Sequence, residues 1–168
     1  MKKIVTFLLL TLYSAFAVGQ NNTKKKQEIS KPFVLGEIIE LQSKVLSEKR
    51  ILNIYLPQGY NPNDSINYPV TYLLDGSADE DFIHVVGLFQ FNNFSWINRV
   101  PKSILVGIAN VDRRRDFTYP STIAENQKRD PTSGKSANFI SFIESELQPF
   151  IEKIYKTEKY ATIAAYKQ

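Results

Sequence analysis

The chain has 168 residues, 43% of them hydrophobic and 12% aromatic, which is enough apolar material for one domain with a real core. It contains no cysteine, so disulfide bonds and a cysteine-linked lipid anchor are excluded. One histidine and no cysteine argue against a zinc site, and we expect no metal or other cofactor. The formal net charge of +4 falls to +2, or 19 basic against 17 acidic residues, without Lys2 and Lys3. That balance is too small to predict nucleic acid binding.

Residues 1–19 have the pattern of a secretory signal peptide. Lys2 and Lys3 give a positive start, and Ile4–Val18 is an apolar run followed by small residues. The run is shorter than the roughly 20 residues that a membrane-spanning helix needs, so a membrane anchor is the less favoured alternative. We expect cleavage between Ala17 and Gln20, no stable membrane anchor afterwards, and export to the periplasm or the extracellular space. Residues 20–32 are polar and predict a disordered leader, and residues 33–168 form the folded domain.

Five β-rich runs predict strands. They are Val34–Val45, Ile51–Leu56, Pro69–Leu74, Ser103–Ala109 and Tyr160–Tyr166. The polar residues 46–50 predict a turn, so the first two runs form an antiparallel hairpin. The last three runs are almost wholly apolar, which is typical of strands buried on both faces of a parallel sheet.

Two helices are predicted between the later strands. The first covers about Asp79–Asn98, with Asp79, Glu80 and Asp81 in its first turn, where acids complement the helix dipole. The second covers about Ser136–Tyr155, with an apolar stripe and a kink at Pro149. Asn110–Gly134 is predicted as a long loop. The order of strands and helices predicts an α/β fold in three layers, with the hairpin first and right-handed crossovers after it.

Four segments resemble the putative esterase family of α/β-hydrolases, which includes enterochelin-type siderophore esterases and S-formylglutathione hydrolases. They are Tyr55-Leu56-Pro57-Gln58-Gly59-Tyr60, Val70-Thr71-Tyr72-Leu73-Leu74-Asp75-Gly76, Val106-Gly107-Ile108-Ala109-Asn110 with Arg113 and Arg115 after it, and Phe142–Ile151. The resemblance covers Val34 to about Tyr166. It implies an α/β-hydrolase-type sheet and a carboxylic ester hydrolase that works through a serine acyl-enzyme.

The resemblance also implies where the nucleophile belongs. The serine of Gly-x-Ser-x-Gly follows the fifth strand, with the acid and the histidine later in the chain. Alignment of the strand ends places Ala165 at the first glycine and Lys167 at the serine. A lysine adduct is an amide that would not turn over. We therefore expect an N-terminal portion of the fold, truncated after the fifth strand, without the triad and inactive alone. The alternative is a non-catalytic remnant that binds a ligand or a partner.

Part of the substrate site is implied as well. In this fold one oxyanion donor comes from the loop after the third strand, which points to Gly76, Ser77 and Ala78. Arg113 and Arg115 are candidates for binding an anionic ester such as a catecholate or carboxylate, and a solvated charge run is the alternative. A complete enzyme would act on a small-molecule ester. The sequence leaves the oligomeric state open.

Several other residues invite a functional interpretation. His84 precedes the nucleophile position, so we expect it on a helix surface rather than in a triad. Asp75 is either a catalytic carboxylate or, as we favour, a turn-forming residue. The acids at 79–81 form a solvated turn in preference to a cation site. Phe91, Phe94 and Trp96 are expected to pack in the core or under a lid. No serine among Ser77, Ser103 and Ser136 has a nucleophile frame.

Overall fold

The computed structural model describes residues 30–165, and five strands in this range form one mixed sheet. The strands are β1 Glu37–Ser43, β2 Glu48–Tyr55, β3 Tyr68–Leu73, β4 Ile104–Ile108 and β5 Thr157–Ala164. The predicted signal peptide, most of the predicted leader and Lys167 lie outside the described residues.

The strand order across the sheet is β1-β2-β4-β3-β5. The pairs β1–β2 and β2–β4 are antiparallel, whereas β3 is parallel to both β4 and β5. The predicted hairpin followed by parallel strands is therefore confirmed. The carboxyl ends of β3, β4 and β5 share one edge of the sheet with the start of β2. We call this the carboxyl edge.

Helical segments cover the sheet from both sides. They are α1 Phe82–Asn92, α2 Arg113–Phe117, α3 Ala124–Arg129, α4 Ser136–Phe142, a π-helical turn Ile143–Leu147 and α5 Gln148–Ile154. Residues 110–134, predicted as a loop, contain the two short helices α2 and α3. Within the described residues no helix is both long enough and apolar enough to cross a bilayer.

Two apolar clusters make the molecule three layers thick. On one face, α4, the π-helical turn and α5 pack Phe142, Leu147 and Ile151 against β2, β3 and β4. On the other face, α1 packs Phe82 and Val86 against the sheet. Right-handed crossovers explain this division, because the chain moves one way across the sheet from β3 to β4 and the other way from β4 to β5. The predicted three-layer α/β fold is confirmed.

Helix α1 is shorter than the sequence pattern predicted. It begins at Phe82, because the amides of Glu80 and Phe82 both donate to the Ser77 carbonyl in a turn that precedes it. The acids at 79–81 therefore lie before the first turn, and their predicted placement inside it was wrong. The helix ends at Asn92, and the chain then turns through Asn98, whose φ of 46° breaks helical geometry.

Pro149 is accommodated by a change of helix type. The ring of a proline inside a helix crowds the carbonyl four residues earlier and supplies no N–H. Ahead of Pro149 the helix widens into the π-helical turn, where the Gln148 amide donates to the Ile143 carbonyl five residues back. The disturbance predicted at Pro149 thus takes the form of a π-helical turn that joins α4 to α5.

Strand β5 is exposed, although its apolar sequence predicted a strand buried on both faces. Tyr160 is 85% exposed and most of its neighbours in the strand are exposed as well. Among the described residues β5 pairs with β3 alone. The prediction of burial was wrong for this strand, because burial depends on covering elements that its own sequence does not encode.

The π-helical turn directs Glu146 at the turn between β1 and β2. Its carboxylate accepts hydrogen bonds from Ser43 Oγ at 2.5 Å and from the amides of Lys44 and Val45 at 2.9 and 3.2 Å. Burial raises the pKa of the Glu146 carboxyl, but these hydrogen bonds outweigh it and hold the pKa below its ordinary value. The ionised carboxylate therefore fastens the hairpin to the helical layer.

Replacing Glu146 by glutamine should lower the free energy of unfolding by about 1 kcal/mol at neutral pH. The folded pKa lies below the unfolded value of about 4.3, so the stabilisation is complete above that pH and is lost as the pH falls through the folded pKa. The free energies of unfolding in urea, measured for the chain and for Glu146→Gln, should thus become equal at acidic pH. Glu144→Gln, an exposed carboxylate in the same π-helical turn, is the control and should change little. A gap that persists in acid would contradict the assignment.

Candidate functional site

The turn after β3 lies directly against the backbone of β4. A Cβ atom on Gly76 would stand 2.4 Å from the Cα of Gly107, and one on Gly107 would stand 2.4 Å from the Gly76 carbonyl oxygen. Neither position has space for a side chain. This contact lets the Gly76 amide donate to the Ile108 carbonyl at 3.0 Å, so the turn continues the hydrogen bonding of the sheet past the end of β3.

Asn53 fixes the same turn from inside the sheet. It is buried on β2 opposite Gly107, and its Nδ2 donates to the Gly76 carbonyl at 2.8 Å. Both backbone polar groups of Gly76 are thus satisfied. Asn53 was not identified from the sequence, although a lone amide inside the apolar run Ile51–Leu56 is a usable signal, because a buried polar side chain needs a partner.

The hydrogen bonding of Gly76 separates the three oxyanion-loop candidates. The Gly76 N–H is committed to Ile108, so it is not free to bind a substrate oxygen. Within residues 30–165 the amides of Ser77 and Ala78 donate to no protein acceptor. Ser77 is half-buried and Ala78 exposed, at the carboxyl edge. Two free amides in succession, beside a fixed turn, can donate hydrogen bonds to a negatively charged oxygen.

Asp75 is held in the left-handed region and fully engaged by two side chains. Its φ is 55°, and its carboxylate is buried. Asn110 Nδ2 donates to Oδ1 at 2.7 Å, while Arg113 donates through Nε at 2.9 Å to Oδ1 and through Nη2 at 3.2 Å to Oδ2. These contacts favour the turn-forming interpretation of Asp75, because the carboxylate has its oxygens occupied.

Arg113 is anchored at one side and open at the other. The hydrogen bond with Asp75 raises the pKa of the Arg113 guanidinium above its already high value, so the group stays charged. Its Cζ lies 5.4 Å from the centre of the Phe117 ring. The side chain is still 56% exposed, and its Nη1 has no acceptor among the described residues. Arg113 therefore offers a fixed positive group to an anion at the carboxyl edge.

Arg115 has a different environment, and its predicted role in substrate binding stays a prediction that its surroundings do not favour. Its guanidinium donates to both carboxylate oxygens of Glu48, at 2.9 and 2.6 Å, and to Asp116 through Nε at 2.8 Å. Asp116 and Glu48 also bind Arg50, which is buried and lies 5.3 Å from the Phe139 ring centre. Every partner of Arg115 is a protein group of this ion network, so it holds α2 against β2. Glu48, Arg50 and Asp116 gave no sequence signal, because the contacts that join the two strand residues to Arg115 and Asp116 span 66 positions or more.

The other candidates do not gather into a second site. His84 is exposed on α1, as predicted. Ser103 Oγ donates to the Pro101 carbonyl, and Ser136 is buried at the start of α4. Trp96 is 76% exposed and Phe91 is 56% exposed, so neither packs in the core of the described residues, and packing under a lid stays a prediction. No group of three or more acidic or imidazole ligands with metal-binding geometry occurs in the part of the chain that the structure describes.

The domain is of the α/β-hydrolase type. It has a sheet with this strand order between two layers of helices, a turn with a glycine after β3, and free amides at the carboxyl edge. A family model described as "Putative esterase" matches residues 43–165. The chain belongs to that family, as the resemblance predicted.

The chain is also similar to individual proteins, two of which are described as an esterase or a hydrolase. The chain is 28% identical over 125 residues to the ferri-bacillibactin esterase BesA of Bacillus subtilis (strain 168), covering 67% of this chain and 43% of that protein. An IroE-like serine hydrolase from Shewanella oneidensis superposes with a TM-score of 0.67 at 35% identity, over 76% of this chain and 41% of the other. The BES protein from Bacillus cereus gives a TM-score of 0.62 at 28% identity, over 83% and 55%. The chain thus spans roughly half or less of the length of each of these relatives.

Alanine at Gly107 should lower the free energy of unfolding by about 2 kcal/mol or more, because the new methyl group would meet the Gly76 carbonyl and the Phe82 ring. Gly87→Ala on α1 is the matched control, since a Cβ there meets nothing within 4 Å, and it should stabilise the helix by up to about 1 kcal/mol. Urea unfolding of both variants gives the comparison. Equal effects would show that the close approach of the two glycines is not a constraint.

Replacing Arg115 should lower the free energy of unfolding by more than replacing Arg113. Arg115→Gln leaves the carboxylates of Glu48 and Asp116 with Arg50 as their one cationic partner in this network, and the excess negative charge should cost about 3 kcal/mol of unfolding free energy. Arg113→Gln removes a half-exposed guanidinium, and Asn110 still donates to the buried Asp75 carboxylate, so this change should cost less, about 1 kcal/mol. Thermal and urea unfolding of the two variants provide the measurement. A larger cost at Arg113 would reverse the assignment.

Proposed function

We propose that this chain carries the oxyanion-binding part of an exported carboxylic ester hydrolase that uses a serine acyl-enzyme. The observation that supports this most is the pair of free amides at Ser77 and Ala78, next to the ion pair of buried Asp75 with half-exposed Arg113, at the carboxyl edge. Membership of the esterase family supports the same reaction class.

The geometry suggests what each group would do. As a nucleophile adds to the ester carbonyl, the carbonyl oxygen gains negative charge. The Ser77 and Ala78 amides would donate to that oxygen, and one such donor is typically worth about 3 kcal/mol in the transition state. The Gly76–Ile108 and Asn53–Gly76 hydrogen bonds hold these amides in place before the substrate arrives.

Arg113 would select the substrate. Its open Nη1 can pair with a carboxylate or catecholate on the acyl or alcohol part of the ester. The name of the BesA relative, a ferri-bacillibactin esterase, supports a small-molecule ester of the siderophore type as the substrate class. Neither the amides nor Arg113 requires a cofactor.

We propose that the attacking group of the hydrolase lies outside residues 30–165. The 168 residues include no Gly-x-Ser-x-Gly, and their one histidine lies on α1, before the nucleophile position. We expect the 168 residues alone to bind esters without turning them over. The same observation supports the second candidate, a non-catalytic domain that binds a ligand or a partner.

A chimaera separates these two functions. Residues 43–165 would replace the matching segment of the Shewanella oneidensis IroE-like hydrolase, which keeps the rest of that protein. We expect the chimaera to hydrolyse aryl esters, whereas the 168-residue chain gives background rates and no labelling by a fluorophosphonate. Arg113→Gln in the chimaera should lower kcat/KM for an anionic ester by roughly tenfold to a hundredfold and leave a neutral ester unaffected.

Arg99→Gln is the control for the loss of one positive charge. Arg99 is exposed, and its amide donates to the Asn92 carbonyl at the end of α1. A folded chimaera without activity on any ester would favour the binding domain. Labelling of the unmodified chain at a single residue would overturn the expectation that it lacks a nucleophile.

Export is supported by the sequence of residues 1–19 and has its own test. Expression of the full chain in a bacterium should yield mature protein that begins at Val18, Gly19 or Gln20, because we expect cleavage between Ala17 and Gln20. Mass spectrometry of the periplasmic and culture fractions measures this. Replacement of Leu8 and Leu9 by arginine should leave the protein uncleaved in the cytoplasm. Processing that continues in that variant would contradict a signal peptide.

A further inference from the structure

Helix α1 carries large apolar side chains on the side that faces away from the sheet, beside the exposed His84, as well as on the side that packs on the sheet. Phe82 and Val86 are buried, whereas Ile83, Leu88 and Phe91 on the opposite side are about half exposed. Apolar side chains exposed together in one patch mark an interaction surface. We call Ile83, Gly87, Leu88 and Phe91 the outer face of α1.

The aromatic residues after α1 extend this apolar surface. Phe94 stacks on Trp96 with ring centres 4.5 Å apart, and its edge meets Phe91 at 6.1 Å. Trp96 itself is 76% exposed. The stack fixes the indole in place without burying it, so the surface is preorganised to receive an apolar partner.

Gly87 makes a notch in the middle of the outer face. A Cβ there would have nothing within 4 Å. Ile83 and Phe91 flank Gly87 at four residues to either side, about 6 Å along the helix axis. A second helix can approach closely over a glycine, with larger side chains interlocking on both sides of it.

We propose that the outer face of α1 binds a second copy of this chain, with the two α1 helices antiparallel and crossing at Gly87. A two-fold axis at Gly87 places Ile83 of each copy against the partner's Phe91, because the two residues lie at equal distances from the axis. The contact is self-complementary, as a two-fold interface must be.

The charges at the ends of α1 suit the antiparallel arrangement. Asp79 and Glu80 lie just before the helix, and Arg99 lies at its other end, where the Arg99 amide donates to the Asn92 carbonyl at 2.9 Å. Neither Asp79 nor Arg99 has an ion pair among the described residues. Antiparallel helices bring the acidic end of one copy to Arg99 of the other, whereas parallel helices would place like charges together.

The area is adequate for a weak, reversible dimer. Phe91 and Trp96 together expose roughly 260 Å² of side chain, and Ile83 with Leu88 adds roughly 100 Å². Non-polar atoms make up rather more than half of a typical interface, so the total buried area comes to roughly 1,200 Å², the low end of specific complexes. We therefore expect a dissociation constant on the order of micromolar.

The experiment is sedimentation of the purified full chain across concentrations on either side of the micromolar range, together with its tryptophan emission. Trp96 is the one tryptophan of the chain, so its emission reports on this surface alone. We expect a monomer–dimer equilibrium, with a blue shift of the emission as the dimer forms.

Gly87→Arg tests the notch, because the open space above Gly87 admits a side chain without disturbing the monomer. It should weaken dimerisation at least about tenfold while the circular dichroism stays unchanged. Asp79→Arg and Arg99→Asp should each weaken the dimer, and the double variant should restore it.

Tyr160→Glu on β5 is the control, because the exposed edge of β5 is the other surface where two copies can join. It should leave the dimer intact. A monomer at every concentration would overturn the proposal, as would a dimer lost in Tyr160→Glu and kept in Gly87→Arg. Failure of the double charge variant to restore the dimer would exclude the antiparallel arrangement. None of these outcomes bears on ester hydrolysis, which the chimaera tests separately.

Discussion

The close contact between Gly76 and Gly107 is the constraint on which the carboxyl edge depends. A turn that lay one side chain further from β4 could not donate the Gly76 amide to the Ile108 carbonyl. It would also move its own carbonyl away from Asn53 on β2. Three strands thus meet at one residue without a side chain. Because Gly76 is satisfied by protein groups, the next two amides, at Ser77 and Ala78, are the first that the turn leaves open.

The conformation of Asp75 completes this arrangement and has a cost. A non-glycine residue in the left-handed region typically stores about 1 kcal/mol or more of backbone strain. Charge-assisted hydrogen bonds from Arg113 and a further bond from Asn110 are of a size that offsets it. The left-handed conformation of Asp75 turns the chain away from β3. The hydrogen bonds between Asp75 and Arg113 also hold Arg113 at the carboxyl edge. An electrostatic site is effective when its dipoles are already in place, and the turn and the ion pair both meet that requirement.

The parts of the fold that depend on local pattern were predictable, and those that depend on neighbours were not. The apolar runs that form β3 and β4 predicted buried parallel strands, and both are buried. The apolar run Tyr160–Tyr166 was predicted to be buried in the same way, yet most of β5 is exposed, because coverage comes from other elements. The turn after β3 was placed correctly from its sequence. Which of its amides is free was not predictable, since that depends on Ile108, more than 30 positions away.

Arg113 and Arg115 show the same limit at the level of single side chains. Both lie in one five-residue helix and are chemically identical, so composition cannot distinguish them. On a helix, residues two apart point about 200° away from each other. Arg113 therefore faces Asp75 at the end of β3, and Arg115 faces Glu48 at the start of β2. Arg113 stays half exposed beside the free amides, whereas Arg115 forms ion pairs within the network of Glu48, Arg50 and Asp116. The helix, by its geometry alone, divides one charge run into a group that can meet a ligand and a group that holds the fold together.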